Sequence, residues 1–297
     1  MKTNTHIILL ILVSLAAALP ARGNSGSKSW DRFHIWQNLD TSKKVTQPAS
    51  LQLTFPDEGE KSLALGLGLK YDVVPNGLMD LGFFAEYSRN TQKDKEQDVL
   101  KAGMAMEWQI LEVARGKSTH SPILIAKINY KRDGTKDTGS LQAVFSYTHF
   151  FTGRGDRFGF PLPNTTLLPK ILAFTYSPLL GLEYEKINST GAGGLKGDVL
   201  RGYFQLEAAL YPLAKKWNRK LELGLTYIYR WDITNSINEK NMTYKLLKTG
   251  ISWYILKFLK GEKIWAGIGL TYVNGEDPSA GLEKQKYLQI GIKFKTE

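Results

Sequence analysis

Residues 63–88, LALGLGLKYDVVPNGLMDLGFFAEYS, alternate in polarity up to a turn and resume beyond it. Leu63, Leu65, Leu67, Leu69, Tyr71 and Val73 share one parity; Ala64, Gly66, Gly68, Lys70 and Asp72 share the other. After Pro75-Asn76-Gly77 come Leu81, Phe83, Ala85 and Tyr87 against Asp80, Gly82, Phe84, Glu86 and Ser88. A period of two belongs to a strand, whose successive side chains point to opposite faces. Pro-Asn-Gly supplies the fixed φ and the glycine that a chain reversal uses. The pair therefore predicts a hairpin with two faces of different chemistry.

The same rhythm runs to the C-terminus. It predicts strands at 49–56, 61–74, 78–90, 98–112, 122–132, 140–151, 171–187, 199–212, 220–234, 242–256, 264–275 and 286–296. Segments such as RNTQKDKEQ, RDGTKDTG and GEDPSAGLEK separate them, rich in the Gly, Asn, Asp and Ser of turns. Most of these runs are far longer than the usual strand of about five or six residues. A tilted strand crossing a bilayer needs about nine to eleven residues in the hydrocarbon. The fold expected is all-β: a transmembrane antiparallel meander β-barrel of about twelve strands, within a range of about ten to fourteen.

Face composition bears on which side meets water. One parity carries Leu221, Leu223, Leu225, Tyr227, Tyr229 and Trp231, and the other Glu222, Thr226, Arg230 and Asp232. Aromatics on the apolar parity gather near strand ends, where a girdle at a membrane interface would sit. A soluble barrel of this strand number would enclose more space than its own side chains fill. Gly66, Gly68, Gly82, Gly103, Ala105, Gly267 and Gly269 on the polar parity suit a curved, crowded interior. The polar face is therefore expected to line a lumen and the apolar face to meet lipid.

The N-terminus agrees with export. Met1-Lys2 opens a short basic region, Ile7–Leu19 is apolar, and small residues follow in AALPARGNSGS. That is the three-part form of a secretory signal peptide, too short to span a bilayer. The expected organisation is a signal peptide over 1–23, an irregular periplasmic lead-in over 24–48 and a β-barrel domain over 49–297. The chain has no Cys, so it has no disulfide, no thiolate metal site and no Cys nucleophile. Its formal charge of +11 is spread rather than striped, and with export it points away from nucleic acid and toward lipopolysaccharide phosphates or anionic solutes.

In the signal peptide and in runs such as KLELGLTYIYRW and KYLQIGIKFKTE, the chain resembles bacterial outer-membrane β-barrel proteins as a broad class, over residues 49–297. The resemblance implies the outer membrane of a Gram-negative bacterium, reached by signal-directed export. The implied partners are the bilayer, lipopolysaccharide, the outer-membrane assembly machinery and small polar solutes. Such proteins typically finish on an aromatic residue that the assembly machinery reads; here Phe294 is followed by Lys295-Thr296-Glu297.

Function is expected from the lumenal parity. Its bases are Lys70, Lys101, Lys127, Lys131, Arg201, Arg230, Lys248 and Lys293. Its acids are Asp72, Asp80, Glu86, Glu107, Glu183, Glu185, Glu207, Glu222 and Asp232. Near-equal numbers can pair across strands, with Arg201 or Arg230 expected against Glu207 and Glu222. The leading expectation is a narrow passive channel for small polar solutes, lined by Lys101, Glu107, Lys127, Glu183, Arg201, Glu207, Glu222 and Arg230. The alternatives are a closed barrel that binds a partner and, behind it, a membrane-embedded lipid hydrolase using His149. The longest connection, TGRGDRFGFPLPNTTLLPK, could plug the mouth or dock a partner through Arg154, Arg157, Phe158 and Phe160. No enzyme, cofactor or metal is expected: Ser146 has the opposite parity to His149, and the remaining His residues are isolated.

Overall fold

Alternation becomes extended backbone. The structure, a computed structural model, describes residues 33–36, 49–54, 62–74, 78–91, 96–111, 120–151, 165–168, 172–189, 196–213, 216–217, 219–237, 240–258 and 264–296. Its strands are β1 (Phe33–Trp36), β2 (Ala49–Thr54), β3 (Ser62–Val74), β4 (Met79–Asn90), β5 (Gln97–Gln109), β6 (His120–Asp133) and β7 (Thr138–Phe151). They continue with β8 (Thr165–Leu168), β9 (Leu172–Ser189), β10 (Gly197–Pro212), β11 (Leu221–Asn235), β12 (Thr243–Phe258), β13 (Ile264–Asp277) and β14 (Leu282–Thr296). One turn of 3-10 helix, Pro278–Ala280, joins β13 to β14. Each of the twelve segments expected to be a strand is one, and β1 and β8 are additional.

The strands form one antiparallel meander sheet, each long strand pairing with the next in sequence. β2 pairs with β14 through Leu51↔Ile292 and with β3 through Leu51↔Leu65. β1 lies within the expected lead-in and continues the line of β2. Its residues Phe33–Trp36 pair with Gly68–Tyr71 of β3, next to Gly66, where β2 pairs. β3 pairs on its other side with β4. Within the expected long connection, β8 pairs with the start of β9, below Leu180, where the pairing of β7 ends. The expected signal peptide, the rest of the lead-in, and Arg154, Arg157, Phe158 and Phe160 lie outside the described residues.

Strict alternation of side chains carries the polarity pattern onto two faces, and the faces are reversed from those of a globular protein. Of the seventeen charged residues expected inside, thirteen are buried. The other four, Glu107, Glu222, Lys248 and Lys293, are half-buried, and none is exposed. The opposite face exposes large apolar side chains, among them Ile128 (61%), Ile290 (60%), Trp253 (59%) and Ile268 (56%). Soluble proteins keep such side chains in and charges out. Aromatics mark both ends of the exposed face. Tyr130 and Tyr184 lie toward one end and Tyr71, Phe83, Trp108, Tyr147 and Trp253 toward the other, with Phe145 and aliphatic residues between.

Departures from alternation occur where the ladder slips. Ile255 and Leu256 are consecutive and both exposed, at the irregularity where the β12–β13 register shifts between Tyr254 and Leu256. An extra residue there bends the strand without moving the rest of its apolar set to the wrong face. Close strand approach is visible at Gly103, where a Cβ would lie 2.1 Å from the carbonyl oxygen of Ile128.

Candidate functional site: an enclosed ionic network

The buried face is organised around two arginines. Arg201 of β10 sits directly opposite Glu183 of β9 and Asp232 of β11 in the ladders. That register lets one guanidinium serve three carboxylates. Its Nη1 donates to Glu183 Oε1 at 2.7 Å and to Glu185 Oε2 at 2.8 Å, and its Nε to Asp232 Oδ1 at 3.2 Å. The planar fork of arginine suits such shared recognition. Glu185 is also held by Lys131 Nζ at 3.2 Å and by the Ser140 hydroxyl at 2.8 Å. Buried acids of one sign are tolerable here because each has cationic or hydroxyl donors within reach.

Arg230 of β11 continues the network. Its Nε lies 3.4 Å from Glu183 Oε2, and its guanidinium stands 5.4 Å over the ring of Tyr203, which hydrogen-bonds Ser146. A second cluster occupies β3 and β4, where Lys70 Nζ meets Asp72 at 2.9 Å and Asp80 at 3.0 Å. Lys101 approaches Glu86 at 3.8 Å, and Asn129 donates to Gln142 at 3.0 Å.

A small cavity among Phe84, Glu86, Lys101, Lys127, Glu183 and Arg230 measures ≈ 10 Å³, room for about one water molecule. Apolar groups also reach the buried face: Ile123, Ile125 and Leu179 form one cluster, and Ile228, Leu246 and Val273 another. The expected pore lining did not name them, although Ile123 and Ile125 share a parity with Lys127 and Lys131 on the same strand.

The turn between β13 and β14 also enters this space. Asp277 caps it, its Oδ1 accepting from the amide of Ser279 at 3.1 Å, from the Ser279 hydroxyl at 2.8 Å and from the amide of Ala280 at 3.4 Å. Gly281 closes it in the left-handed region at φ 69°, a conformation that glycine adopts without steric cost. Ser279 is 4% exposed and lines the small cavity. The signal for this turn was present in Asp277-Pro278-Ser279-Ala280-Gly281, a cap, a proline at the first position and a terminating glycine. Nothing local said that it points inward.

The structure gathers Lys101, Lys127, Glu183, Arg201, Glu207 and Arg230 on the buried face, while Glu107 and Glu222 stand half-buried on the same face. Arg201 pairs with Glu183, Glu185 and Asp232, and Arg230 with Glu183 and Asp277, carboxylates other than the Glu207 and Glu222 named from the sequence. Parity tells which face a charge occupies but not its height along the sheet, and Glu207 stands opposite Ser177 and Thr226 instead.

Ser146 is buried and bonded to Tyr203, whereas His149 lies on the other face, its Nδ1 2.7 Å from the hydroxyl of Tyr147. The two therefore form no nucleophile–base pair. Among the described residues, no group of three His, Asp or Glu is placed to hold a metal ion. No family model, curated protein or solved structure matches the chain.

Proposed function

We propose that this chain is an outer-membrane β-barrel that is closed at rest, a bilayer-spanning scaffold whose interior is filled by its own ion pairs. Support for the barrel comes from the pairings β14–β2, β2–β3 and β3–β4, which would complete a ring of twelve strands. Support for the membrane comes from the reversed faces: an apolar surface banded by aromatics would sit in lipid, with charges turned to the lumen. A signal peptide over 1–23 would deliver such a chain across the inner membrane, and the assembly machinery would insert it.

The observation that carries the closed state is the burial of thirteen of the seventeen charged side chains on the inner face, which water filling an open lumen would leave exposed. The half-buried Glu107, Glu222, Lys248 and Lys293 favour a second reading, the narrow passive channel, in which passage of small polar solutes follows a rearrangement of the lumen. In the first reading the loops, or the 152–170 segment, present a surface to a partner.

Refolded chain in lipid vesicles and planar bilayers tests this. The closed barrel floats with the vesicles, shows β circular dichroism and gives no steady current. Steady openings would replace it with the channel reading, and the sign of the reversal potential in a salt gradient would show whether bases or acids govern the lumen. A chain that folds but leaves the vesicles untouched would remove the membrane reading.

A further inference from the structure

The lining of the small lumenal cavity comes from β4, β5, β6, β7, β9, β10 and β11, with one exception, Ser279 of the β13–β14 turn. The strands form the walls and the turn lies over them. Polar contacts hold it to walls other than its own. Arg230 Nη1 of β11 lies 2.9 Å from Asp277 Oδ1. Lys131 Nζ of β6 donates to the carbonyl of Pro278 at 2.8 Å, and Gln97 Nε2 of β5 donates to the carbonyl of Ala280. The turn offers these walls only acceptors, and the walls offer it only donors.

Ala280 also packs against the apolar cluster of Ile228, Leu246 and Val273, and further hydrogen bonds are local. The amides of Ser279 and Ala280 bond to Asp277, and the amide of Gly281 to the carbonyl of Pro278 at 3.1 Å. The ladder itself resumes at Asp277↔Leu282. Pro278–Gly281 therefore lie outside the ladder, whose last pair before them is Asp277↔Leu282.

We propose that the Asp277–Gly281 turn is a displaceable cover over the lumenal chamber, held down by Arg230, Lys131 and Gln97. The proposal deepens the closed-barrel reading by assigning the closure on this side to one segment. Moving the turn uncovers the chamber formed by Glu86, Lys101, Lys127, Glu183 and Arg230. Short hydrogen-bonded segments that lie outside a ladder are the ones that open locally before the fold does.

The chain has no native Cys, so a single introduced thiol reports on the chamber. Gln142→Cys places one in the cavity lining without removing a charge. In detergent-solubilised protein a charged methanethiosulfonate reagent is expected to modify it slowly. Replacing Pro278–Gly281 by Asn-Gly, a two-residue reversal that suits paired strands, is expected to raise that rate many-fold. Asp277→Asn, which keeps a capping oxygen and loses the charge facing Arg230, is expected to raise it by a smaller factor. A thiol at Glu107→Cys, far from the turn along β5, is expected to react at the same rate in all three backgrounds.

Equal rates at Gln142→Cys with and without the turn would overturn the cover. So would parallel acceleration at Glu107→Cys, which would mean general loosening. Hydrogen exchange on the unaltered chain gives a second, variant-free readout. The amides of Ser279, Ala280 and Gly281 are expected to exchange together and orders of magnitude faster than those of Leu270–Val273. Protection equal to that of the strand would overturn the proposal. These measurements need no bilayer, so failure of vesicle insertion and failure of the cover are separate results.

Discussion

Arg230 of β11 and Asp277 at the end of β13 form an ion pair of 2.9 Å across the intervening strand β12, with both side chains 3% exposed. The pair joins the network around Glu183 to the turn that lies over it. A buried pair of this kind is poor evidence of net stability, since desolvation offsets much of the attraction. Its better-founded consequence is positional: an arginine this deep needs carboxylates, and here one is Glu183 of β9 and the other, Asp277, caps a turn.

Arg201→Met is expected to destabilise the protein by about 3–5 kcal/mol, because it leaves Glu183, Glu185 and Asp232 without their shared cation in a buried setting. Urea unfolding in micelles measures this. Arg201→Lys should recover only part of the loss, since one ammonium cannot reproduce the fork. A change under about 1 kcal/mol for Arg201→Met would show that water reaches these carboxylates freely.

A contrasting pair lies at the surface. Lys136 Nζ stands 3.1 Å from Glu283 Oε1, with the side chains 50% and 55% exposed. Lys136→Ala should change stability by less than about 1 kcal/mol, and added salt should shrink even that. The same urea titration at low and high ionic strength is sufficient.

Ile290 is 60% exposed near the middle of β14. In lipid vesicles, Ile290→Arg should cost about 2–4 kcal/mol, the penalty for a cation at the bilayer midplane of a barrel. On a water-exposed surface the same change would fall within about 0.5 kcal/mol. Unfolding in vesicles therefore separates a lipid-facing surface from an aqueous one.

Gly103→Ala should destabilise by about 1–3 kcal/mol, as overpacking does. The new Cβ would meet the Ile128 carbonyl at 2.1 Å and the Asn129 Cα at 2.6 Å, and backbone cannot rotate aside as a side chain can. Hydrogen exchange on the β5–β6 ladder should show the loss confined first to Gly103↔Asn129 and its neighbours.

Local pattern carried much of the fold. Alternation is a property of neighbouring residues, so it announced twelve strands and assigned Lys70, Lys101, Lys127, Arg201 and Arg230 to one face before any contact was known. It could not announce β1 or β8, because four-residue strands are too short for a period to register. Nor could it pair the charges. A salt bridge depends on relative height, which comes from ladder register, and bulges such as those at Leu200/Arg201 and Tyr254/Leu256 shift that register by a residue without altering parity elsewhere. The turn shows the division most plainly. Asp277, Pro278 and Gly281 spell a capped turn in the sequence alone, since capping is satisfied within a few residues. That it folds inward onto Lys131, Gln97 and Arg230 was decided only by the sheet, which brings residues 47 to 183 positions away to within hydrogen-bonding reach.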